Sequence, residues 1–177
     1  ISESTADLYR SSRPAFKREV IRASRVSGVE DNFAVAQFTG GMHGDVNFYD
    51  NFIDIFNVRF ASPLADGGRA FYNYFLVDST VTEGRKVYKI RFHPKRLTTP
   101  VLDGEVNIDS ASFALRSASA RMPKGVNVNW VRHLMLDNEN RPSDKGRWFR
   151  VRDRVSAEFS VSTADSSKIT SFIGTRE

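Results

Sequence analysis

The stretch 86–93 constrains this chain most: Tyr88, Ile90 and Phe92 alternate with Lys89, Arg91 and His93 without a break. Successive side chains leave a strand on opposite sides, so this period of two marks a strand with one apolar face and one wet face. A helix would scatter the same residues around its circumference and bury none of them consistently. Pro94 ends the run, because it has no amide hydrogen to give a ladder.

The same punctuation recurs on either side. Residues 71–78 read as a strand that is apolar on both faces, hence central in a sheet. Residues 80–85, with Gly84, form the following turn. Residues 101–108 alternate again, with Asp103, Glu105 and Asn107 on the polar side, and residues 109–112 are turn chemistry. Residues 113–122 return, Pro123-Lys124-Gly125 turns, and 126–136 is another strand before the longest polar loop, 137–146. Residues 148–161 make a long strand with Phe149, Val151, Val155, Ala157, Phe159 and Val161 inward and Arg150, Arg152 and Arg154 outward. Residues 168–173 are expected to form a last strand.

The first sixty residues follow a different pattern. Pro14 is expected to open a helix running through Val26, with Gly28 just past its end. Phe16, Val20, Ala23 and Ser27 would share its apolar side, and Arg18, Arg22 and Arg25 a basic stripe. That stripe reads as solvated arginines or as a contact with an anionic membrane or partner. Asp31 is placed to cap a second helix over 32–38, ended by Gly40-Gly41. Phe48, Phe52, Ile55 and Phe56 fit helical spacing over 46–56, although the β-rich composition also suits a strand. Helices first and an antiparallel meander of about six strands after them give an α+β class, with the helices packed on one face of a curved sheet.

A chain of 177 residues fits one domain, here with a helical part over 1–60 and a β meander over 69–173. Without Cys there is no disulfide, thiolate metal site or Cys nucleophile, and the composition suits an oxidising periplasm. No apolar run approaches the ~18 residues of a spanning helix. Residues 1–5, Ile1-Ser2-Glu3-Ser4-Thr5, do not read as a signal peptide and are expected to be an internal start within a longer protein. The net charge of +5 comes from 26 basic and 21 acidic residues interleaved along the chain. Without a basic stripe joined to a reading motif, no nucleic-acid partner is expected.

Several blocks together carry a resemblance. They are Ser2-Glu3-Ser4 with Asp7-Leu8-Tyr9, Glu19-Val20-Ile21 with 23–28, 47–52, 74–79 with 88–96, Gly104 through Ser110, and Asn127-Val128-Asn129-Trp130-Val131. In this order the chain resembles the middle region of a Bacteroidetes family of unknown function. In that family a carboxypeptidase-regulatory-like β-sandwich domain precedes the region and a predicted outer-membrane β-barrel follows it. Val87 stands where relatives often have Cys, so no thiol acts there. The resemblance implies a periplasmic-side domain tethered to the outer membrane. The expected architecture is also similar to the periplasmic lipoprotein-carrier fold, an analogy that carries no function by itself.

Chemistry is sparse. His43, His93 and His133 are too far apart in sequence for a helical metal pair, and Asp45, Asp50 and Asp54 make only a weak acidic side, so no metal and no cofactor is expected. There is no nucleophile elbow, Walker loop or dinucleotide fingerprint. Asp103 and Glu105 share a strand face about 7 Å apart, within the span of an inverting glycosidase pair, a spacing that many surface strands also meet. The clearest cluster is basic: Lys89, Arg91, His93, Lys95 and Arg96. It suits phospholipid head groups, lipopolysaccharide phosphates or an acidic partner, or simply the charged outer face of a sheet.

The resulting expectation is a non-enzymatic binding or scaffold domain that docks its barrel, a neighbouring domain or an envelope partner. The alternative is a lipid or lipoprotein carrier, which needs an apolar pocket of ~300 Å³ or more. A glycan- or ester-acting enzyme stands third.

Overall fold

The alternation at 86–93 forms the strand expected of it, and the chain around it is nearly all β. The computed structural model describes residues 2–12, 14–26, 46–128, 131–162 and 169–176. The chain divides into two units, Ile1–Gly40 and Gly41–Glu177.

In the first unit β1 (Ser2–Ser12) pairs antiparallel with β2 (Ala15–Val26), from Ser12↔Ala15 at the turn to Ser2↔Val26 at the open end. The helix expected over 14–26 is therefore a strand. Pro14 sits in the hairpin turn, where its fixed φ serves as well as at a helix start. The residues supposed to lie on opposite helix faces now share one: Phe16 and Arg18 are both exposed and Val20 is half-buried. The register skips Arg22, which makes a bulge opposite Thr5 and Ala6. Four- and three-residue spacing alone could not reveal that a partner strand one residue shorter lay just upstream. The second helix, over 32–38, lies outside the described residues.

In the second unit β3 (Phe52–Ile55) and β4 (Val58–Ala61) form a tight hairpin. Its loop residues Phe56 and Asn57 both have positive φ, 51° and 60°, matching the twist of the flanking strands. The helix expected over 46–56 is thus absent: 46–51 is turn and irregular backbone, and 52–55 is the first strand of this hairpin. Its burial runs with a period of two: Ile53 and Ile55 are buried while Phe52 and Asp54 are exposed. The β-rich composition decided this segment, not the helical spacing of Phe48, Phe52, Ile55 and Phe56.

One helical turn, α1 (Gly68–Phe71), leads into seven strands: β5 (Tyr72–Thr82), β6 (Arg85–Pro94), β7 (Asp103–Asp109), β8 (Leu115–Arg121), β9 (Val131–Pro142), β10 (Trp148–Ser162) and β11 (Ile169–Arg176). Each pairs antiparallel with its sequence neighbours, so spatial order equals chain order and β5 and β11 are the edges. An α+β class with N-terminal helices is ruled out, since α1 is the only helical element among the described residues.

Three details of the meander differ from expectation. β5 is an edge strand, exposed from Asn73 to Thr82, and not a central one. Residues 137–142 continue β9 and do not form a loop. Their polarity is a strand face, and the turn is confined to 143–147, where Gly146 has φ +73°. In β10 the register shifts between Arg150 and Arg152. That bulge reverses the phase, so Val155 and Ala157 are buried as expected while Phe149 and Val151 are exposed.

The apolar side of the meander carries Phe92, Val106, Leu115, Ala118, Ala120, Leu134, Leu136, Val155 and Ala157, all buried. Tyr72 joins this core to the segments around it. Its ring meets Phe92 edge-on at 5.5 Å, its hydroxyl donates to Ala61 O at 2.6 Å, and it accepts from Leu102 N at 3.1 Å. Burial pushes this hydroxyl well above the ordinary tyrosine range. Further ties come from Tyr74, whose hydroxyl donates to Pro63 O at 2.8 Å, and Tyr49, which accepts from Leu115 N at 2.7 Å. Phe60 is part of the core, while Trp130 lies outside the described residues.

Candidate functional site

Opposite the apolar side, the register of β6–β10 assembles one polar face. Lys89 lies beside Asn107, Arg91 beside Glu105, Glu105 beside Ser119, Ser119 beside Asp137, and Asp137 beside Arg154. Period two along each strand and direct pairing across strands make such a surface from residues far apart in sequence. An open groove of about 500 Å³ runs across it, lined by Lys89, Glu105, Arg116, Asp137, Glu139 and Arg152 among others.

Of the five basic residues expected to cluster, the structure brings three together. Lys89, Arg91 and His93 form a row along β6. Lys95 turns elsewhere, its Nζ donating to Arg69 O at 2.6 Å, and Arg96 is exposed in the loop beyond Pro94. The organising residue is an acid, Asp103. It is buried on β7 with two guanidiniums and an imidazole around it: Arg121 Nη2 at 3.3 Å, Arg91 Nη2 at 3.9 Å and His93 Nδ1 at 3.3 Å. Glu105 is held by Lys89 Nζ at 2.8 Å. The two carboxylates weighed as a glycosidase pair are therefore each engaged by cations.

Arg121 is the participant that sequence reading missed. It pairs with Asp103 across β7–β8, and only a correct register of those strands would have found it. Gly104 makes that register possible. A methyl group there would run into Ser119 O, so only glycine allows β7 and β8 this close.

The end of the sheet nearest Arg85 is tied by a second set of charges. Asp109, fully buried, receives Arg85 Nε at 2.9 Å and Nη2 at 3.2 Å, and also the amide and hydroxyl of Ser112 at 2.9 and 2.6 Å. The Arg85 bond is the main cause that holds this carboxyl well below the ordinary range, against the opposing effect of burial. Glu83 is lowered by its bond to Arg116 Nη2 at 2.8 Å. The Arg85 guanidinium stands 5.8 Å from the centre of the Trp148 ring. Those residues belong to β6 and β10, which in a flat sheet would lie about 19 Å apart at ~4.8 Å per strand, so the sheet curls at this end.

The remaining candidates are dispersed. His133 meets Glu158 at 3.6 Å, Asp54 meets Arg59 at 3.6 Å, and Asp50 accepts from Asn47 at 2.9 Å. His43 and Asp45 lie outside the described residues. Among the described residues no three His, Asp or Glu side chains converge as a metal site would require.

A different surface was not anticipated at all. Along β5 the side chains of Phe75, Leu76, Val77 and Val81 are 54%, 67%, 53% and 73% exposed. Among the described residues the outer edge of this strand has no neighbour in the seven-stranded sheet. The apolar sequence of this segment predicts a central strand, and the structure places it at the edge. Its hydrophobicity is real, and what differs is that the sheet stops there.

No curated protein and no solved structure matches the chain. A family does: residues 1–171 match the Family of unknown function (DUF5686). The chain, matched over nearly its whole length, belongs to that family.

Proposed function

We propose that this chain is a non-catalytic binding or scaffold domain, acting on the periplasmic side of an outer-membrane-associated protein and docking to a neighbouring domain or envelope partner. The observation that carries this reading is β5. Soluble proteins blunt long edge strands with charges, prolines or a covering element, because an open apolar edge invites pairing. β5 has a bulge between Leu76 and Asp78 and a single charged residue, Asp78, yet presents four large apolar side chains. An apolar strip of this kind marks a contact surface more readily than a catalytic one. The engagement of Asp103 and Glu105 by cations adds support, since both carboxylates serve the sheet face itself. The periplasmic placement and the barrel of the longer protein come from the sequence resemblance.

The carrier alternative has a groove of sufficient size, about 500 Å³, but its lining is charged and hydroxylated where an acyl chain needs an apolar wall.

The test is a photo-crosslinking amino acid at position 81, in the full-length protein in its own envelope. An adduct dependent on light and on an intact envelope is expected. No adduct at 81 or 76, together with turnover of an ester or glycoside that Glu105→Gln abolishes, would overturn the proposal in favour of an enzyme.

A further inference from the structure

We infer that the polar groove over β6–β10 is a binding site for a neutral, polyhydroxylated ligand of the saccharide class. Its lining includes none of the apolar side chains of β5, so it stands or falls separately from the docking reading above.

The register builds this face from two rows of side chains. One row runs Asp78, Lys89, Asn107, Ser117, Glu139 and Arg152 from β5 to β10. The next runs Arg91, Glu105, Ser119, Asp137 and Arg154 from β6 to β10. Neighbours within a row are ~4.8 Å apart, and the rows lie ~7 Å from each other along the strands. Both rows carry a short serine on β8, the middle strand of the five that line the groove, with longer side chains on either side. That difference in length makes a trough of about 500 Å³, within the ~300–1,000 Å³ usual for small-molecule sites.

Charge is balanced in each row. Lys89 and Arg152 stand with Asp78 and Glu139 in the first, and Arg91 and Arg154 with Glu105 and Asp137 in the second. Arg116, the residue that the β7–β8 register skips, also lines the groove, and its Nη2 donates to Glu83 at 2.8 Å. An anion would therefore meet a carboxylate beside each cation, with no net field to draw it in. An acyl chain would find no apolar wall: Ala118 alone among the lining residues is apolar, and it is buried on the core side.

What the groove offers is hydrogen-bond partners of both kinds. Asn107 Nδ2 donates to Ser117 Oγ at 2.8 Å, and Ser119 Oγ donates to Asp137 Oδ1 at 2.8 Å. Ser117 thus keeps its hydrogen to give, and Ser119 keeps lone pairs to accept. Glu105, Asp137 and Glu139 add acceptors around them, and Lys89, Arg152 and Arg154 bring cationic N–H groups to the same lining. Phosphate only accepts and an ammonium only donates, so either would leave half of this set facing the wrong partner. Sugar hydroxyls give and accept at once and carry no charge, so they satisfy both halves without separating the existing ion pairs. Among the described residues no aromatic ring lines the groove, so hydrogen bonds alone hold the ligand. A dissociation constant on the order of 1 mM is expected.

The experiment is a titration of the isotope-labelled chain with maltotriose, cellotriose, mannotriose and triacetylchitotriose, read by amide chemical shifts. At least one trisaccharide is expected to shift the amides of 105–107, 117–119 and 137–139, saturably and with little change as salt rises. Ser117→Val with Ser119→Val should weaken that binding about twentyfold, from roughly one factor of five per hydroxyl. The dispersion of the spectrum checks that the variant is folded. The position and salt dependence of the shifts in the unmodified chain stand without it.

The inference is overturned if no trisaccharide shifts these amides at concentrations well above the expected constant, or if the shifts scatter over the whole surface. It is overturned if inorganic phosphate shifts the same amides at lower concentration and in a salt-sensitive way, which would mean an anion site. It is also overturned if the folded double variant binds as tightly as the unmodified chain. Cleavage of the bound trisaccharide would leave the site standing and remove the non-catalytic reading, whereas an absent adduct at position 81 would remove the β5 docking reading alone.

Discussion

Arg85 and Asp109 meet in a two-point ion pair, 2.9 Å and 3.2 Å, in which the carboxylate is fully buried and the guanidinium faces Trp148. The pair joins the start of β6 to the end of β7, at the end of the sheet where it curls. Asp109 also holds Ser112, so one acid sets both the hairpin turn and the closure next to it.

Stability should therefore depend on pH through Asp109. Its folded-state value lies below the ordinary one, so its contribution is complete above the ordinary carboxylate value of about 4 and is lost as pH falls through the folded value. Asp109→Asn should cost about 2 kcal/mol at neutral pH, with the difference from the unsubstituted chain shrinking in strong acid. Urea unfolding across a pH series measures both; a difference that does not change with pH would contradict it.

Tyr72→Phe keeps the edge-on contact with Phe92 but leaves Ala61 O and Leu102 N without their partner. A loss of about 2 kcal/mol is expected. Because burial raises the hydroxyl above its unfolded value, the tyrosine's contribution is present below pH ~10 and declines above it. The gap between the two proteins should accordingly narrow in alkali, as read by thermal unfolding.

Gly104→Ala should destabilise by about 1–3 kcal/mol, since the obstructing atom is backbone on β8 and cannot swing aside. Amide exchange should localise the loss to β7 and β8. Protection unchanged in both strands would show that the strands are not held so close.

Leu76→Lys tests the exposure of β5 directly. If the edge is open, the change should alter stability by no more than about 0.5 kcal/mol and reduce self-association in light scattering. A loss above about 1.5 kcal/mol would mean that Leu76 is buried.

What the sequence disclosed followed the reach of its signals. Strict alternation at Tyr88-Ile90-Phe92 placed β6, and the polar row Asp103-Glu105-Asn107 placed β7, because period two survives any register. Phe16, Val20 and Ala23 misled, since eight residues of a strand can mimic helical spacing when their partner, β1, is not considered. Leu76 and Val77 misled differently: hydrophobicity reports that a strand wants covering, not that the cover belongs to the same sheet. On the polar face, Lys89, Arg91 and His93 were legible from one strand. Arg121 required the pairing of two more, and the hub role of Asp103 required all three.

Hydrogen exchange of the β5 amides tests the central claim most directly. It should be measured in the isolated chain and again in the full-length protein in its native envelope. The account predicts fast exchange of the amides in 74–81 that point away from β6 in isolation, and clear protection of those same amides in the envelope. Slow exchange in isolation, or the same rates in both, would contradict it.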